Sequence, residues 1–461
     1  MNCIDRAMIE KFVEILGKEN VLTEEEDLFC YSYDATFDVR TELPDLVLMP
    51  KSTEQVSEIV KIAAENKIPI YPRGAGTCLS GGAIPLKKGI VLSMLDMNKI
   101  IEIDQENLTA TVESGVVIQS LADAVEPLGL LYPPDPGSIQ TATMGGSVAE
   151  CSGGLRGLKY GITKDYVMGV KVVLADGSIV KYGGKNVKNV SGYDMKSIFV
   201  GSEGTLGIIT EILVKLIPKP EARQSFMVMY SDLDKAANTI SKVIANKIIP
   251  ATMEILDNIT IRAVEDYKKI GLPVDSEAVL LIEVDGVKEA VEKEAKKVKD
   301  ICLQCGADSI SAAEDDSRRD EIWAARRSVN PAMARVKPTA ITEDATVPRS
   351  KIPEMIRAVK GIAEKYNVMI GTYGHAGDGN LHPKILTDEN NAEEMVRVHK
   401  AISEIFDKAL ALGGTLSGEH GIGIAKAHFM PRQFSAEELD MMKKLKNAFD
   451  PGHILNPGKF I

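Results

Sequence analysis

The glycine-rich stretch PRGAGTCLSGGAIP, from Pro72 to Pro85, constrains this fold most, through what stands on either side of it. Before it the chain reads strand, helix, strand: DLVLMP from Asp45, then STEQVSEIVKIAAENK, then IPIYP. Ser52 and Gln55 stand at capping-box spacing, and Val56, Ile59, Val60 and Ala63 recur at helical spacing, so the middle segment is an amphipathic helix. After the loop comes KGIVLSM, another strand. A Rossmann fold sets its glycines between the first strand and the helix, where the helix N-terminus meets phosphate. Here the loop follows the second strand and leads into more sheet, which excludes that arrangement. Its amides can still line an anion-binding concavity, because a backbone without Cβ atoms approaches a ligand closely.

Two further glycine clusters follow. One runs from PPDPGS (Pro133 to Ser138) through TATMGGSVAECSGG (Thr141 to Gly154), and the other is GSEGTLGIIT (Gly201 to Thr210). A hairpin, IIEID to LTATVESGV, and a helix near Ile118 to Pro127 precede the first of these, and a strand pair turning at Asp176-Gly177 separates the two. Around residue 220 the texture changes. IPKPEARQ reads as a linker, and beyond it strands alternate with amphipathic helices, the pattern of an α/β layer of ferredoxin-like kind. The division expected is an N-terminal helical segment over 1–40, a first domain over 41–220, a second over 221–410 and a C-terminal segment over 411–461.

At 461 residues the chain is too long for one core. Charged residues make up 26% and the net charge is −12, with no basic stripe, which argues against a nucleic-acid surface. No apolar run reaches the roughly 18 residues of a membrane span, and the amphipathic N-terminus has no signal-peptide core. Cys3, Cys30, Cys78, Cys151, Cys302 and Cys305 are scattered without a disulfide framework, so a cytoplasmic location is expected. Cys302 and Cys305 form a lone CxxC inside a helical pattern, which reads as structural.

Two of the six histidines lie in YGHAGDGNLHP, Tyr373 to Pro383. A two-residue turn centred on Asp378-Gly379 would set His375 directly opposite His382 on one face of a hairpin, with Cβ atoms roughly 5 Å apart. Two imidazoles at that spacing can share a metal ion. Glu419, in SGEHGIG, would make a two-histidine, one-carboxylate set with open positions for a substrate. His420 points elsewhere and is available as a base. The same trio would serve a metal-dependent hydrolase that activates water, and that reading stands against the three glycine clusters.

The glycine clusters, followed in order by HAGDGNLH, SGEHGIG and LNPGK, resemble the FAD-linked dehydrogenases of the vanillyl-alcohol oxidase superfamily, and within it the glycolate oxidase D-subunit and D-lactate dehydrogenase group. The resemblance runs from about residue 40 to the C-terminus. It implies an α+β chain: a two-part FAD-binding domain, a ferredoxin-like cap, and a C-terminal segment returning to the flavin. It implies that Arg73, Gly74, Ala75, Gly76, Thr77, Leu79 and Ser80 hold the pyrophosphate and that Pro136, Gly137, Ser138, Thr143, Gly145 and Gly146 run along the dinucleotide. Glu203, Gly204 and Ile208 would contact the adenine side, and Asn456 the ring. No histidine lies in the FAD segment, so the FAD is expected to be noncovalent.

The implied activity is oxidation of a 2-hydroxy acid, D-lactate first and glycolate or D-2-hydroxyglutarate as alternatives, with hydride passing to flavin N5. His375, His382 and Glu419 would hold a divalent metal (Zn, Fe or Mn), Arg326 of IWAARRSVNP would grip the substrate carboxylate, and His420 would be the base. Relatives that use dicarboxylic acids carry other polar groups where this chain has Asn330 and Lys384. The chain has no cluster of cysteines for iron–sulfur and no haem motif, so the electrons are expected to leave through a partner, an electron-transferring flavoprotein or another acceptor subunit.

Overall fold

The computed structural model describes residues 4–37, 39 and 42–460, so Cys3 and the first residues of the expected N-terminal helical segment lie outside it. The chain forms two compact units, one of Met1–Ser152, Ile162–Lys219 and Glu419–Ile461, the other of Gly153–Gly161 and Pro220–Gly418.

The first unit contains the βαβ opening. Leu46–Leu48 and Ile70–Arg73 both pair parallel with Ile90–Ser93, and the helix Thr53–Asn66 makes the crossover. Val56, Ile59, Val60 and Ala63 are buried against this sheet with Phe12 and Leu16 of the helix Arg6–Leu16. Ser52 Oγ accepts the Gln55 N–H at 3.2 Å, as the capping pattern requires. The return bond differs from expectation: Gln55 Oε1 takes the Lys51 N–H at 2.7 Å, one residue earlier than a capping box would. A second sheet, wholly antiparallel, runs Ile100–Asp104, Thr109–Glu113, Ile208–Lys215, Val167–Val173, Ile179–Gly183. The chain's late segment returns here. Ile70 N–H donates to Ile454 O at 2.7 Å and Asn456 N–H to Ile70 O at 2.8 Å, extending the first sheet by a parallel bridge at Leu455.

In the second unit strand and helix alternate as read: Ala222–Tyr230, Leu233–Ala245, Thr252–Asp257, Asn258–Lys268, Ala278–Gly286, Lys288–Gln304, Ser309–Ala312. The strands join Met369–His375, Asn380–Thr387 and Thr339–Thr342 in one antiparallel sheet. On one face Met227, Leu256, Leu281, Tyr373 and Leu386 pack with Ile261, Ile322, Val329 and Met333 of the covering helices. Cys302 is buried within its helix and burial pushes its thiol up to about 11, which suits a packing role and not a redox pair.

The histidine hairpin forms with a different register from the one expected. His375 pairs with Asn380 and Tyr373 with His382, so the loop is four residues, Ala376 to Gly379, and the two histidines are diagonal neighbours. A slip of two residues keeps both on the same face, whereas a slip of one would have separated them. Asp378-Gly379 is displaced from the turn centre because Gly379 is held from outside: its carbonyl accepts the Val347 N–H at 3.0 Å. Its φ is +101°, and a Cβ there would sit 2.1 Å from Val347 O. Gly379→Ala is therefore expected to lose about 2–3 kcal/mol, from strain and forced displacement of the backbone at Val347. Urea unfolding measures it, and an unchanged midpoint would contradict the tight contact.

Candidate active site

In the antiparallel sheet of the second unit alternate residues share a face. Tyr373 and His375 leave the same side as Asn380, His382 and Lys384 across the hairpin, and Leu256, opposite Tyr373, puts Glu254 on that side too. The His375 and His382 rings lie 5.1 Å apart, edge to face, and Tyr373 is 5.3 Å from His382. Arg326, from the last turn of the helix Asp316–Arg327, reaches the same patch, with its guanidinium 5.1 Å from the Tyr373 ring.

Glu254 organises this patch, although its sequence gave only an acid in an apolar strand, TMEILD. That odd acid was the available signal. The side chain is 0% exposed; Arg326 donates to its Oε2 through Nε at 2.7 Å and Nη2 at 2.5 Å, and His375 Nδ1 lies 2.7 Å from its Oε1. Burial works to raise the carboxyl, but the Arg326 charge and His375 outweigh it, and Glu254 is held below the usual range. An ionised carboxylate only accepts, so His375 carries its proton on Nδ1 and directs the Nε2 lone pair the other way. A carboxylate behind a histidine in this manner is what orients a metal-ligating imidazole. Asp344 stands behind His382 less closely, 3.9 Å from Nδ1, and is fixed by the Ser417 hydroxyl at 2.7 Å and the Gly418 N–H at 2.8 Å. Glu419 and His420 belong to the other unit; there His420 Nε2 is 4.0 Å from Glu419 Oε1.

The remaining expected residues lie in the first unit. Arg73 ends a strand and is buried, as is Ser80, with Gly74, Ala75, Gly76, Thr77 and Leu79 half-exposed between them. Arg73 Nη1 and Ser80 Oγ are buried with no hydrogen-bond partner. Unsatisfied donors of that kind are costly, and an anionic diphosphate is a ligand that would satisfy them. Thr143 caps the helix Met144–Glu150 by accepting the Gly146 N–H at 3.3 Å, and Gly145 packs so closely on Ser114 that a Cβ would meet its Cβ at 2.6 Å. Pro136 is buried, Ser138 half-buried and Gly137 exposed.

Glu203, Gly204 and Ile208 are buried, yet the Glu203 side chain serves the protein itself. Its two oxygens accept the Ile422 and Gly423 N–H groups at 2.7 and 2.8 Å. Asn456 is likewise engaged, donating to Gly82 O at 2.9 Å and Glu203 O at 2.6 Å, with Lys459 beside it donating to Ile84 O at 2.5 Å. Sequence reading missed Lys459 and the half-buried Glu150, whose carboxyl desolvation and then Glu203 push well above the ordinary range.

Residues 44–183 match the FAD binding domain family, and residues 219–460 match the C-terminal domain of FAD linked oxidases. The chain is 51% identical over 456 residues to glycolate oxidase subunit GlcD of Bacillus subtilis (strain 168), covering 99% of this chain and 97% of that one. It is 36% identical over 468 residues to a D-lactate dehydrogenase of Anaerostipes hadrus, covering 99% and 98%. Among solved structures, p-cresol methylhydroxylase with substrate bound superposes with a TM-score of 0.81 at 20% identity, over 98% of this chain and 96% of that one, a likeness of fold.

Replacing Glu254 with Gln leaves Arg326 buried without a counter-charge, and is expected to cost about 3–5 kcal/mol at pH 7. Because the folded carboxyl titrates below its unfolded value, near 4.3, this stabilisation is present above that pH and is lost as pH falls through the lower folded value. The gap in urea midpoint between wild type and variant should therefore narrow below about pH 4. A gap that is constant from pH 7 to pH 3 would overturn this account of Glu254.

Proposed function

The chain belongs to the family of FAD-linked oxidoreductases that includes glycolate oxidase subunit GlcD and D-lactate dehydrogenases, and from that premise we propose that it oxidises a short 2-hydroxy acid, D-lactate foremost, to the 2-oxo acid. The observation that carries the reading is the buried patch in which Glu254 fixes both Arg326 and His375 beside His382. Arg326, clamped by Glu254 along one edge, keeps further N–H donors for the carboxylate of the acid. His375 and His382, with Glu419 as the carboxylate of the sequence reading, are the ligands for a divalent cation. When bound, that cation would lower the pKa of the substrate hydroxyl and FAD would supply the hydride acceptor. His420 takes the hydroxyl proton.

Glycolate is the second reading, favoured by the 51% identity to the GlcD subunit. Its distinction from lactate is one methyl group, which a pocket discriminates by only about 10- to 200-fold. Arg73, Ser80 and the glycine loop are the residues we assign to the pyrophosphate. The electrons leave through a separate acceptor protein, an electron-transferring flavoprotein by preference. Among the described residues no helix is long and apolar enough to cross a membrane, and every cysteine described is free, which supports a cytoplasmic role.

The test is dye-coupled oxidation of D-lactate, L-lactate and glycolate, with electron-transferring flavoprotein, NAD and oxygen compared as acceptors. D-lactate with the flavoprotein is expected to turn over fastest, and fast oxygen consumption would make the chain an oxidase. His420→Asn should slow flavin reduction about 10²- to 10⁴-fold at unchanged FAD content. His375→Ala and His382→Ala should abolish oxidation with FAD retained. Full activity in either, or after chelation, would eliminate the metal-assisted mechanism.

A further inference from the structure

The helix Ala436–Phe449 is well made at its start and poorly seated along its length. Ser435 caps it with a full capping box, Glu438 accepting the Ser435 N–H at 2.8 Å. Leu439, Met442, Lys446 and Phe449 recur at helical spacing and mark its inner face, yet none of its fourteen residues is buried. Most of a helix's stability in a folded chain comes from burying that face. Here the fixed points lie near the far end: Phe449 meets Phe199 edge-on at 5.5 Å, and Lys446 donates to Thr205 O at 2.7 Å, Leu455 O at 2.8 Å and Asp450 Oδ2 at 2.5 Å. Beside Met442 and Leu445 lies a cavity of about 760 Å³, wholly inside the first unit.

The chemistry of the walls is two-sided. Ile198, Leu206, Met442, Leu445, Pro457 and Phe460 supply apolar surface, and none of the lining residues is acidic, in a chain whose 66 acids outnumber its 54 lysines and arginines. Four lysines line the cavity. Lys446 and Lys459 are spent on backbone oxygens, Lys459 on Ile84 O at 2.5 Å. Lys87 and Lys443 are exposed and, among the described residues, have neither an ion pair nor a side-chain hydrogen bond. Of the residues expected to hold FAD only Asn456 borders this space, with its amide turned to Gly82 O and Glu203 O, so the cavity is separate from the anion site at Arg73 and Ser80.

We propose that this cavity binds an amphipathic acid, its apolar body against Leu206, Met442 and Leu445 and its single carboxylate meeting Lys87 and Lys443. The volume lies in the range of small-molecule sites, roughly 300–1,000 Å³, whereas a protein partner asks for an extended patch of about 800 Å² a side. Apolar walls with a cationic mouth favour a molecule of both characters, the walls supplying free energy and the two ammonium groups orientation. The bound acid completes the packing of the helix Ala436–Phe449, so occupancy and stability rise together. The proposal is independent of the hydroxy-acid reading.

The experiment titrates FAD-loaded full-length protein calorimetrically with decanoate, below the concentration at which that acid forms micelles, with acetate and decyltrimethylammonium as controls. Wild type should bind one equivalent of decanoate with a negative heat-capacity change, keep its FAD, and melt at a higher temperature when the acid is bound. Acetate lacks the apolar body and decyltrimethylammonium has the wrong charge, so neither should bind. Lys87→Met combined with Lys443→Met should weaken decanoate binding about 10-fold, the worth of two exposed ion pairs, and leave the melting temperature of the free protein unchanged. Leu445→Glu sets a negative charge on the apolar wall at a position 39% exposed, where the fold tolerates it, and should abolish binding. The proposal is overturned by a wild type that does not bind decanoate, by equal affinity for the cationic amphiphile, by release of FAD on titration, or by unaltered affinity in either variant. Sedimentation of the wild type as a dimer that Leu445→Glu dissociates, without decanoate binding, overturns it as well and gives this face to a second copy of the chain.

Discussion

Everything on the histidine face depends on one fully buried carboxylate. Glu254 sits in a strand whose neighbours are apolar, and a charge there would be untenable without Arg326. The two therefore require each other: the guanidinium keeps the acid ionised, and the ionised acid sets the tautomer of His375. Three elements remote in the chain, the strand Thr252–Asp257, the helix Asp316–Arg327 and the hairpin at residue 375, are thereby fixed with hydrogen-bond precision at a point where apolar packing alone would leave them free to slide.

The first unit uses the same device for a different purpose. Glu203 offers its carboxylate to two successive backbone amides of the late segment and its carbonyl to Asn456. Lys459 finds backbone oxygens and the Asn456 side chain. A glycine-rich loop has few side chains with which to hold itself, so its carbonyls at Ser80, Gly82 and Ile84 are secured by groups arriving from residues 424 to 459. That arrangement leaves Arg73 Nη1 and Ser80 Oγ uncommitted.

How legible this was depended on whether the deciding contact was local. The βαβ opening, the alternation after residue 220 and the shared face of His375 and His382 follow from periodicity, which a local stretch carries in full. The hairpin register did not, because Asp378-Gly379 is the strongest local turn signal and was overruled by the bond from Val347 N–H to Gly379 O, thirty-odd positions away. Glu254 is a side chain whose meaning lies in its partners. From sequence it is an acid in a strand, and only the fold reveals that it is matched.

The bridge between Ile70 and Leu455 joins positions 385 residues apart. During synthesis the strand Ile70–Arg73 therefore emerges long before the residues that will lie along it, and its outer row of amides and carbonyls stays bare until they are made. The nascent chain spends that time with a template for unwanted pairing exposed, and Pro72 on that strand, lacking an N–H, shortens the template by one donor. Contacts of such wide separation also close late and slowly. Completion of the sheet and fastening of the glycine loop are thus the same event, so a molecule able to cradle its ligand is one in which the segment around Leu455 has already been made and docked.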